Sequence, residues 1–149
     1  MADDAAHDFS TRVQSANGVS IVAERSMYFD YRGTWTGGHD VLGATSPAST
    51  FYFAEGTTRP DFDPYITIQN PGRPQANVAI TYMRGDGKTT TAGVTVHPAD
   101  ILGVGDDPAH EFSTVVRCTN GQGIICERPM YFDYRGAWSG GSDTLGYAP

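Results

Sequence analysis

Short runs of alternating apolar and polar residues fill most of the chain, and each run ends at a turn residue. Alternation with a period of two is typical of a β-strand with one buried face, and no stretch keeps the period of an amphipathic helix. In the middle of the chain these runs cover residues 51–54, 65–69, 77–83, 89–96 and 101–104. The pattern therefore predicts an all-β protein.

Two further pairs of apolar runs are each separated by an Asn-Gly dipeptide. They cover residues 9–14 and 19–24 around Asn17-Gly18, and residues 112–117 and 124–127 around Asn120-Gly121. Asn and Gly tolerate the positive φ that the tight turns of β-hairpins require. We therefore predict a hairpin at each of these two places, with residues 27–31 and 130–134 continuing the second strand.

The two predicted hairpins belong to a duplicated segment. HDFSTRVQSANGVSIVAERSMYFDYRGTWTGGHDVLG, starting at His7, returns with most positions identical as HEFSTVVRCTNGQGIICERPMYFDYRGAWSGGSDTLG, starting at His110. The offset stays at 103 residues without a gap, and a fixed long period is typical of tandem-repeat proteins. We predict a partial repeat at residues 1–48, made of a hairpin and a Gly/Trp linker at 33–47, and a full repeat at 49–149.

The full repeat has the strand number and spacing of an immunoglobulin-like antiparallel β-sandwich. The predicted fold is therefore this sandwich with an additional N-terminal hairpin from a preceding repeat. A lone hairpin is at best marginally stable in water, so its apolar face must pack on something. It would either complete a sheet in its own chain or dock on a neighbouring molecule, which would polymerise head to tail. The candidates for this inter-repeat packing are Phe9, Val13, Ile21, Ala23, Met27 and Phe29.

Each copy of the duplicated segment has one tryptophan in a glycine-rich stretch, Trp35 in the first and Trp138 in the second. An exposed tryptophan would stack on a sugar ring, whereas a buried one would fix one unit against the next. The position of both residues where units join favours inter-repeat packing. The candidates for ligand contact under the other interpretation are the tyrosines Tyr28, Tyr31, Tyr131 and Tyr134.

The two cysteines, Cys118 and Cys126, flank the second Asn-Gly turn. Their spacing excludes a C-x₂-C metal pair and leaves a disulfide across a hairpin or two buried thiols. In the first copy both are replaced together, by Ser15 and Ala23. This joint replacement favours a disulfide, which in turn indicates an oxidising, extracellular location.

The chain of 149 residues carries a formal net charge of −7 and a single lysine, Lys88. This balance disfavours nucleic acid and anionic membranes as partners, because both need clustered basic residues. No apolar run is long enough to cross a bilayer. The first residues lack the basic and apolar segments of a signal peptide, so an export signal would lie outside this segment or have been removed.

Candidate chemistry is sparse. Asp61 and Asp63 are candidates for calcium, which prefers several oxygen ligands, but no D-x-D-x-D-G series supports them and we predict no metal site. Glu24-Arg25 and Glu127-Arg128 are better explained as ion pairs between strands than as an acid and base pair. A nucleophile with a local base is not visible. We therefore predict that the protein is not an enzyme and uses no cofactor.

Three motifs carry a resemblance to a known type of repeat. YFAEGTT at 52–58, YITIQNP at 65–71 and ERPMYF at 127–132 resemble the tandem immunoglobulin-like β-sandwich repeats of secreted or cell-surface proteins from actinobacteria and related thermophiles. The resemblance covers nearly the whole chain, although Ser26 stands where the pattern has proline. It implies a structural repeat module of an extracellular surface protein or filament, with neighbouring repeats as partners. The alternative is a carbohydrate-binding or adhesin module, with polysaccharide as the partner.

Overall fold

The computed structural model describes residues 9–31, 33–97, 101–105 and 111–149, and within them the only regular elements are strands. His7 and His110, which open the two copies, lie outside these residues. In chain order the strands are β1 (Glu24–Tyr31), β2 (Trp35–Leu42), β3 (Thr50–Thr57), β4 (Phe62–Gln69), β5 (Ala76–Arg84), β6 (Thr89–Val96), β7 (Ile101–Gly105), β8 (Glu111–Cys118), β9 (Ile125–Glu127), β10 (Met130–Tyr134) and β11 (Trp138–Ser142).

Strands β3 to β11 form two antiparallel sheets that pack face to face. One sheet has the order β3-β8-β5-β6, and the other has the order β11-β10-β4-β7, with β9 also pairing with β4. The chain changes sheet after β3, β4, β6, β7 and β8, so strands that follow one another often face each other across the core. The predicted all-β antiparallel sandwich is confirmed.

The core lies between these two sheets. Ile66 and Ile68 from β4 face Phe51, Ile80 and Val116 from the other sheet, and all five side chains are buried. Each such side chain contributes about 1.5–3 kcal/mol through removal of apolar surface from water. The alternation that predicted strands 51–54, 65–69 and 77–83 therefore also identified the residues that hold the sandwich together.

The predicted hairpins around the Asn-Gly pairs are not formed. β8 pairs with β3 and β5, whereas β9 pairs with β4, so the two runs lie in opposite sheets. In the first copy, residues 9–23 form no strand. The prediction was wrong because the Asn120-Gly121 turn carries the chain across the core from one sheet to the other. A turn signal does not specify which of these two paths the chain takes.

The predicted Gly/Trp linker is also wrong, because residues 35–42 are strand β2. β1 and β2 form a hairpin in which Phe29 lies opposite Gly37 and Tyr31 opposite Trp35. β10 and β11 form the same hairpin in the second copy. Glycine-rich strands show no alternation of apolar and polar side chains, so the sequence pattern did not predict β2 and β11 as strands. We refer to β1–β2 as the N-terminal hairpin and to β10–β11 as the C-terminal hairpin.

Cys118 and Cys126 are free thiols, so the disulfide that the hairpin prediction favoured is not formed. Cys118 ends β8 and Cys126 lies in β9, and both side chains are buried in the core from opposite sheets. The Cys118 thiol donates a hydrogen bond to Asn120 Oδ1 at 3.0 Å. Burial raises the pKa of the Cys126 thiol, which keeps it protonated and unreactive.

Candidate functional site at the junction of the two copies

Each hairpin has two faces, because residues opposite each other on paired strands point to the same side. One face of the N-terminal hairpin is partly or fully buried, and we call it the packing face: Arg25, Met27, Phe29, Tyr31, Trp35, Gly37, His39 and Val41. The other face is exposed, and we call it the receiving face: Glu24, Ser26, Tyr28, Asp30, Thr36, Gly38, Asp40 and Leu42.

The C-terminal hairpin carries the same two faces, displaced by 103 residues. Its packing face consists of Met130, Phe132, Tyr134, Trp138, Gly140 and Ser142. Its receiving face consists of Tyr131, Asp133, Ser139 and Gly141, continued beyond the strands by Glu127 and Asp143.

The packing face of the N-terminal hairpin covers the receiving face of the C-terminal hairpin. The Tyr31 ring stacks on the Tyr131 ring, with centroids 4.6 Å apart, and Phe29 meets the same ring edge-on at 4.8 Å. Aromatic pairs in these geometries contribute about 0.5–1.5 kcal/mol beyond the area that they bury. The Ser139 hydroxyl donates a hydrogen bond to the Thr36 carbonyl oxygen at 3.2 Å. The two copies of one sequence thus meet through unlike faces.

Glycines let the two hairpins approach closely. A Cβ atom on Gly37 would lie 2.9 Å from the Gly140 Cα atom, and one on Gly141 would lie 2.7 Å from the Phe29 Cζ atom. Real Cβ atoms do not tolerate such distances, so any side chain at these positions would force the hairpins apart. Gly37, Gly140 and Gly141 are therefore part of the contact, whereas the sequence pattern suggested a linker.

Arg25 forms the ionic part of the contact. Its Nη2 atom lies 2.5 Å from Asp143 Oδ2 and 3.1 Å from Glu127 Oε2, and the Asp143 side chain is fully buried. Burial raises the pKa of both carboxyl groups, and the nearby guanidinium opposes that rise. One cation of the N-terminal hairpin therefore holds two carboxylates of the full repeat. The sequence pattern predicted an ion pair between strands at Glu127, but it gave no sign that Arg25 of the other copy is the partner.

His39 is buried beside this ion pair. Its side chain is 3% exposed, and its Nδ1 atom lies 4.0 Å from Asp143 Oδ2. Burial lowers the pKa of His39, and the Arg25 charge lowers it further, whereas Glu127 and Asp40 act in the opposite direction. The imidazole is therefore neutral at pH 7. The second copy has Ser142 at this position.

We expect the contact between the hairpins to weaken as the pH falls below about 6.5, the ordinary pKa of histidine. The pKa of His39 is lowered in the docked hairpin and has its ordinary value in the detached hairpin. As the pH falls, the detached hairpin therefore binds a proton first, and detachment becomes more favourable until the pH reaches the lowered pKa. The pKa values of Asp143 and Glu127 are raised in the docked state, so these two groups act in the opposite direction. The stability that their protonation gives to the docked state is present at acid pH and is lost as the pH rises through the raised pKa values.

The measurement is the thermal midpoint of hairpin detachment, followed between pH 8 and pH 5 through the NMR signals of the Phe29 and Tyr131 rings. His39→Ser, which installs the residue of the second copy, should abolish the loss of stability below about 6.5. A loss of equal size in this variant would show that another group carries the pH dependence.

Tyr31 anchors the far end of the contact. Its hydroxyl donates to Asp63 Oδ2 at 2.5 Å, and Tyr65 Oη lies 2.8 Å from the same hydroxyl. Burial and the hydrogen bond to Asp63 raise the pKa of Tyr31, so it stays protonated and donating. The calcium candidate Asp63 therefore accepts phenol hydrogen bonds. Across the described part of the chain no three His, Cys, Asp or Glu side chains cluster in a way that would hold a metal.

A cleft of about 310 Å³ lies beside the ion pair, between residues 9–13, the N-terminal hairpin and strands β4 and β9. Gln69 donates a hydrogen bond to Ser10 Oγ at 3.1 Å on its wall, and Arg25 and Glu127 reach its floor. Its volume is at the lower end of the range for small-molecule sites. Among the described residues that line the cleft, no nucleophile stands next to a base.

The predicted ligand and packing residues separate into two groups. Tyr31 and Phe29 contact Tyr131 between the hairpins, and Met27 and Trp35 are half-buried on the packing face. Tyr28, Tyr134 and Trp138 are exposed, and Trp138 stacks on Tyr134 with centroids 6.0 Å apart. The two tryptophans thus have different surroundings although their local sequences match.

Three of the predicted packing residues do not pack in this way. Phe9, Val13 and Ile21 are exposed to solvent by 39%, 59% and 53%. Their counterparts in the second copy, Phe112, Val116 and Ile124, are exposed by 5%, 0% and 0% and belong to the core. The second copy occupies the sheet positions in which residues 9–23 would be buried. Apolar side chains that form the core in the second copy are therefore exposed in the first.

Comparisons with known proteins establish the fold and no more. No protein-family model and no curated protein sequence matches the chain. The structure is similar to that of the Thermotoga maritima protein 1070, with 16% identity and a TM-score of 0.62 over 69% of this chain and 96% of that one. It is also similar to the Anabaena sensory rhodopsin transducer, with 19% identity and a TM-score of 0.48 over 58% of this chain and 86% of that one. Among the described residues no helix is long and apolar enough to span a membrane.

Proposed function

We propose that this chain is a structural repeat module of an extracellular surface protein or filament, in which the hairpin of one repeat stacks on the hairpin of the next. The observation that carries the proposal is the contact between the two copies. The partial repeat lies on the full repeat through a buried surface with aromatic, ionic and backbone contacts. Such a surface fixes the orientation of one unit relative to its neighbour.

The chemistry of the contact suits a mechanical role. Close approach at Gly37 and Gly140 limits sliding, and the Arg25 ion pairs set the register along the hairpins. An array joined in this way would behave as a stiff rod with even spacing. The extracellular assignment rests on the resemblance of the motifs to secreted and cell-surface repeats, and it does not depend on a disulfide.

Gly37→Ala should detach the N-terminal hairpin while leaving the sandwich folded. The new Cβ atom would meet the Gly140 backbone, and overpacking of this kind costs about 1–3 kcal/mol. Amide hydrogen exchange should show loss of protection in β1 and β2 and unchanged protection in β5 and β8. Gly93→Ala is the matched control, because a Cβ there meets no atom within 4 Å. Retained protection of β1 and β2 in Gly37→Ala would contradict a tightly packed joint.

A polysaccharide-binding module remains the second candidate function, and one observation favours it. Trp138 and Tyr134 form an exposed stacked pair on the C-terminal hairpin, a surface on which a sugar ring can lie. Titration with a soluble oligosaccharide such as cellohexaose, followed by Trp138 fluorescence, tests this candidate directly.

A further inference from the structure

The contact between the two hairpins uses a different face of each copy. The packing face of the N-terminal hairpin meets the receiving face of the C-terminal hairpin. Each hairpin therefore keeps one face that the contact does not use. A contact between unlike faces leaves one face of each kind free, so the same contact can add further units, in an open chain unless the rotation between units closes a ring.

The N-terminal hairpin keeps its receiving face, which is exposed along its whole length. Tyr28 is 86% exposed on this face. It is the counterpart of Tyr131, the residue on which Phe29 and Tyr31 pack inside the chain. Gly38 is likewise the counterpart of Gly141, but the Tyr28 ring lies over it, 2.9 Å from where a Cβ atom on Gly38 would stand, so this ring must turn aside for a second hairpin to dock.

The C-terminal hairpin keeps its packing face, of which the end away from the core is open. Trp138 is 61% exposed there and stacks on the exposed Tyr134. These two residues are the counterparts of Trp35 and Tyr31, whose rings are 5.7 Å apart in the N-terminal hairpin. The aromatic pair that docks inside the chain is thus formed a second time, without a partner hairpin among the described residues.

We propose that the packing face of the C-terminal hairpin of one molecule docks on the receiving face of the N-terminal hairpin of a second copy of this chain. Tyr134 takes the place of Tyr31, and Tyr28 of the second copy takes the place of Tyr131. Molecules then join head to tail. The inference rests on the proposed function, because it uses the joint between repeats as a joint between chains.

The contact between molecules is weaker than the one inside the chain. Arg128 is the counterpart of Arg25, but it is buried and its Nη2 atom lies 2.9 Å from Glu55 Oε1. It therefore does not reach Asp40 of a second copy, the counterpart of Asp143. Only the aromatic and glycine parts of the contact are repeated, and two chains must also lose translational freedom to associate. The association is accordingly expected at high protein concentration.

The test measures solution mass by light scattering for the wild type and for two single variants. Tyr28→Glu puts a charge on the receiving face, and Trp138→Glu puts one on the packing face. The wild-type mass should rise from 16.0 kDa in dilute solution to more than twice that value in concentrated solution. Each variant should remain at the monomer mass over the same range.

Mixing the two variants gives the decisive result. Tyr28→Glu keeps an intact packing face and Trp138→Glu keeps an intact receiving face, so the mixture should form a one-to-one dimer and stop there. A contact between like faces would not be restored by mixing. Tyr147→Glu is the matched control, since Tyr147 is an exposed aromatic residue on neither hairpin and its change should leave the wild-type rise intact.

A wild-type mass that stays at 16.0 kDa at every concentration would overturn the inference. So would variants that associate like the wild type, or a mixture that contains no dimer. Hydrogen exchange of β1 and β2 in the dilute monomer distinguishes a lack of association between chains from failure of the proposed function. Protected strands in a protein that never associates would leave the joint between repeats standing, whereas unprotected strands would remove the joint itself.

Discussion

Replacing Arg25 by glutamine is expected to detach the N-terminal hairpin from the full repeat. In the docked state the variant would leave Asp143, which is fully buried, and Glu127 without a cation. An uncompensated buried charge costs about 3–5 kcal/mol, and the chain can avoid this cost by letting the hairpin separate and water reach the carboxylates. The core cluster of the sandwich contains no residue of the hairpin, so the sandwich should stay folded.

Amide hydrogen exchange measures this outcome strand by strand: β1 and β2 lose protection, while β4, β5 and β8 keep it. Acidification supplies a second diagnostic. The pKa values of Asp143 and Glu127 are raised, so as the pH falls these groups become neutral and no longer need a cation. His39 acts in the opposite direction, so the diagnostic uses the double variant Arg25→Gln/His39→Ser, whose detached hairpin should dock again at acid pH, which a purely steric defect would not do.

Arg59→Gln is the matched control for this variant. Arg59 also pairs with a carboxylate, Glu111, at 2.7 Å, but the side chains of both residues are more than half exposed. Exposed ion pairs contribute between about 0 and 1 kcal/mol, so this change should be close to neutral. If Arg25→Gln were equally neutral, burial would not be the source of the Arg25 contribution, and the ionic part of the joint would have to be abandoned.

Ile124→Ala is expected to lower the free energy of unfolding by about 2–5 kcal/mol, whereas Ile21→Ala should change it by less than about 0.5 kcal/mol. The two isoleucines are the same residue of the two copies. Ile124 is completely buried in the sandwich core, and Ile21 is exposed. Removing three methyl or methylene groups leaves a cavity at the first position and only solvent at the second.

Urea unfolding of the two variants, followed by circular dichroism, provides the comparison, and each variant serves as the control of the other. Val116→Ala and Val13→Ala form a second matched pair with the same expected asymmetry, because Val116 is buried and Val13 is exposed. Equal losses at positions 21 and 124 would mean that residues 9–23 are buried in solution, through a partner sheet or a second molecule. The conclusion that the apolar side chains of residues 9–23 are exposed would then be wrong.

The full repeat shows most clearly which strands can be predicted from the sequence and which cannot. The alternation of apolar residues located β3, β4, β5 and β6, because each of these strands has one face in the core and one outside. It failed for β2 and β11, in which glycines replace the apolar residues that would show a period of two. The Asn-Gly signals were real turns, but a turn between sheets and a turn within a hairpin have the same local sequence.

The residues of the candidate site were likewise predicted only in part. Duplication marked Trp35, Phe29 and Met27 as candidate packing residues, and of these the Phe29 ring contacts Tyr131 of the other copy. It gave no way to distinguish Tyr28 from Tyr131, or Ile21 from Ile124, since each pair occupies one position of the repeat. The contacts of Arg25 and His39 with Asp143 were also not predicted, because Asp143 lies far from both residues in the sequence.

The sequence by itself thus determined the strand-forming segments of the sandwich and the existence of two copies of one segment, since both are local properties that a linear pattern records. Only the tertiary structure decided what each copy does. A sandwich has one place for strands β8 to β11, and once the second copy fills it, the same residues of the first copy must find other neighbours. Burial depends on which surfaces remain open, so identical side chains become core in one copy and surface or joint in the other.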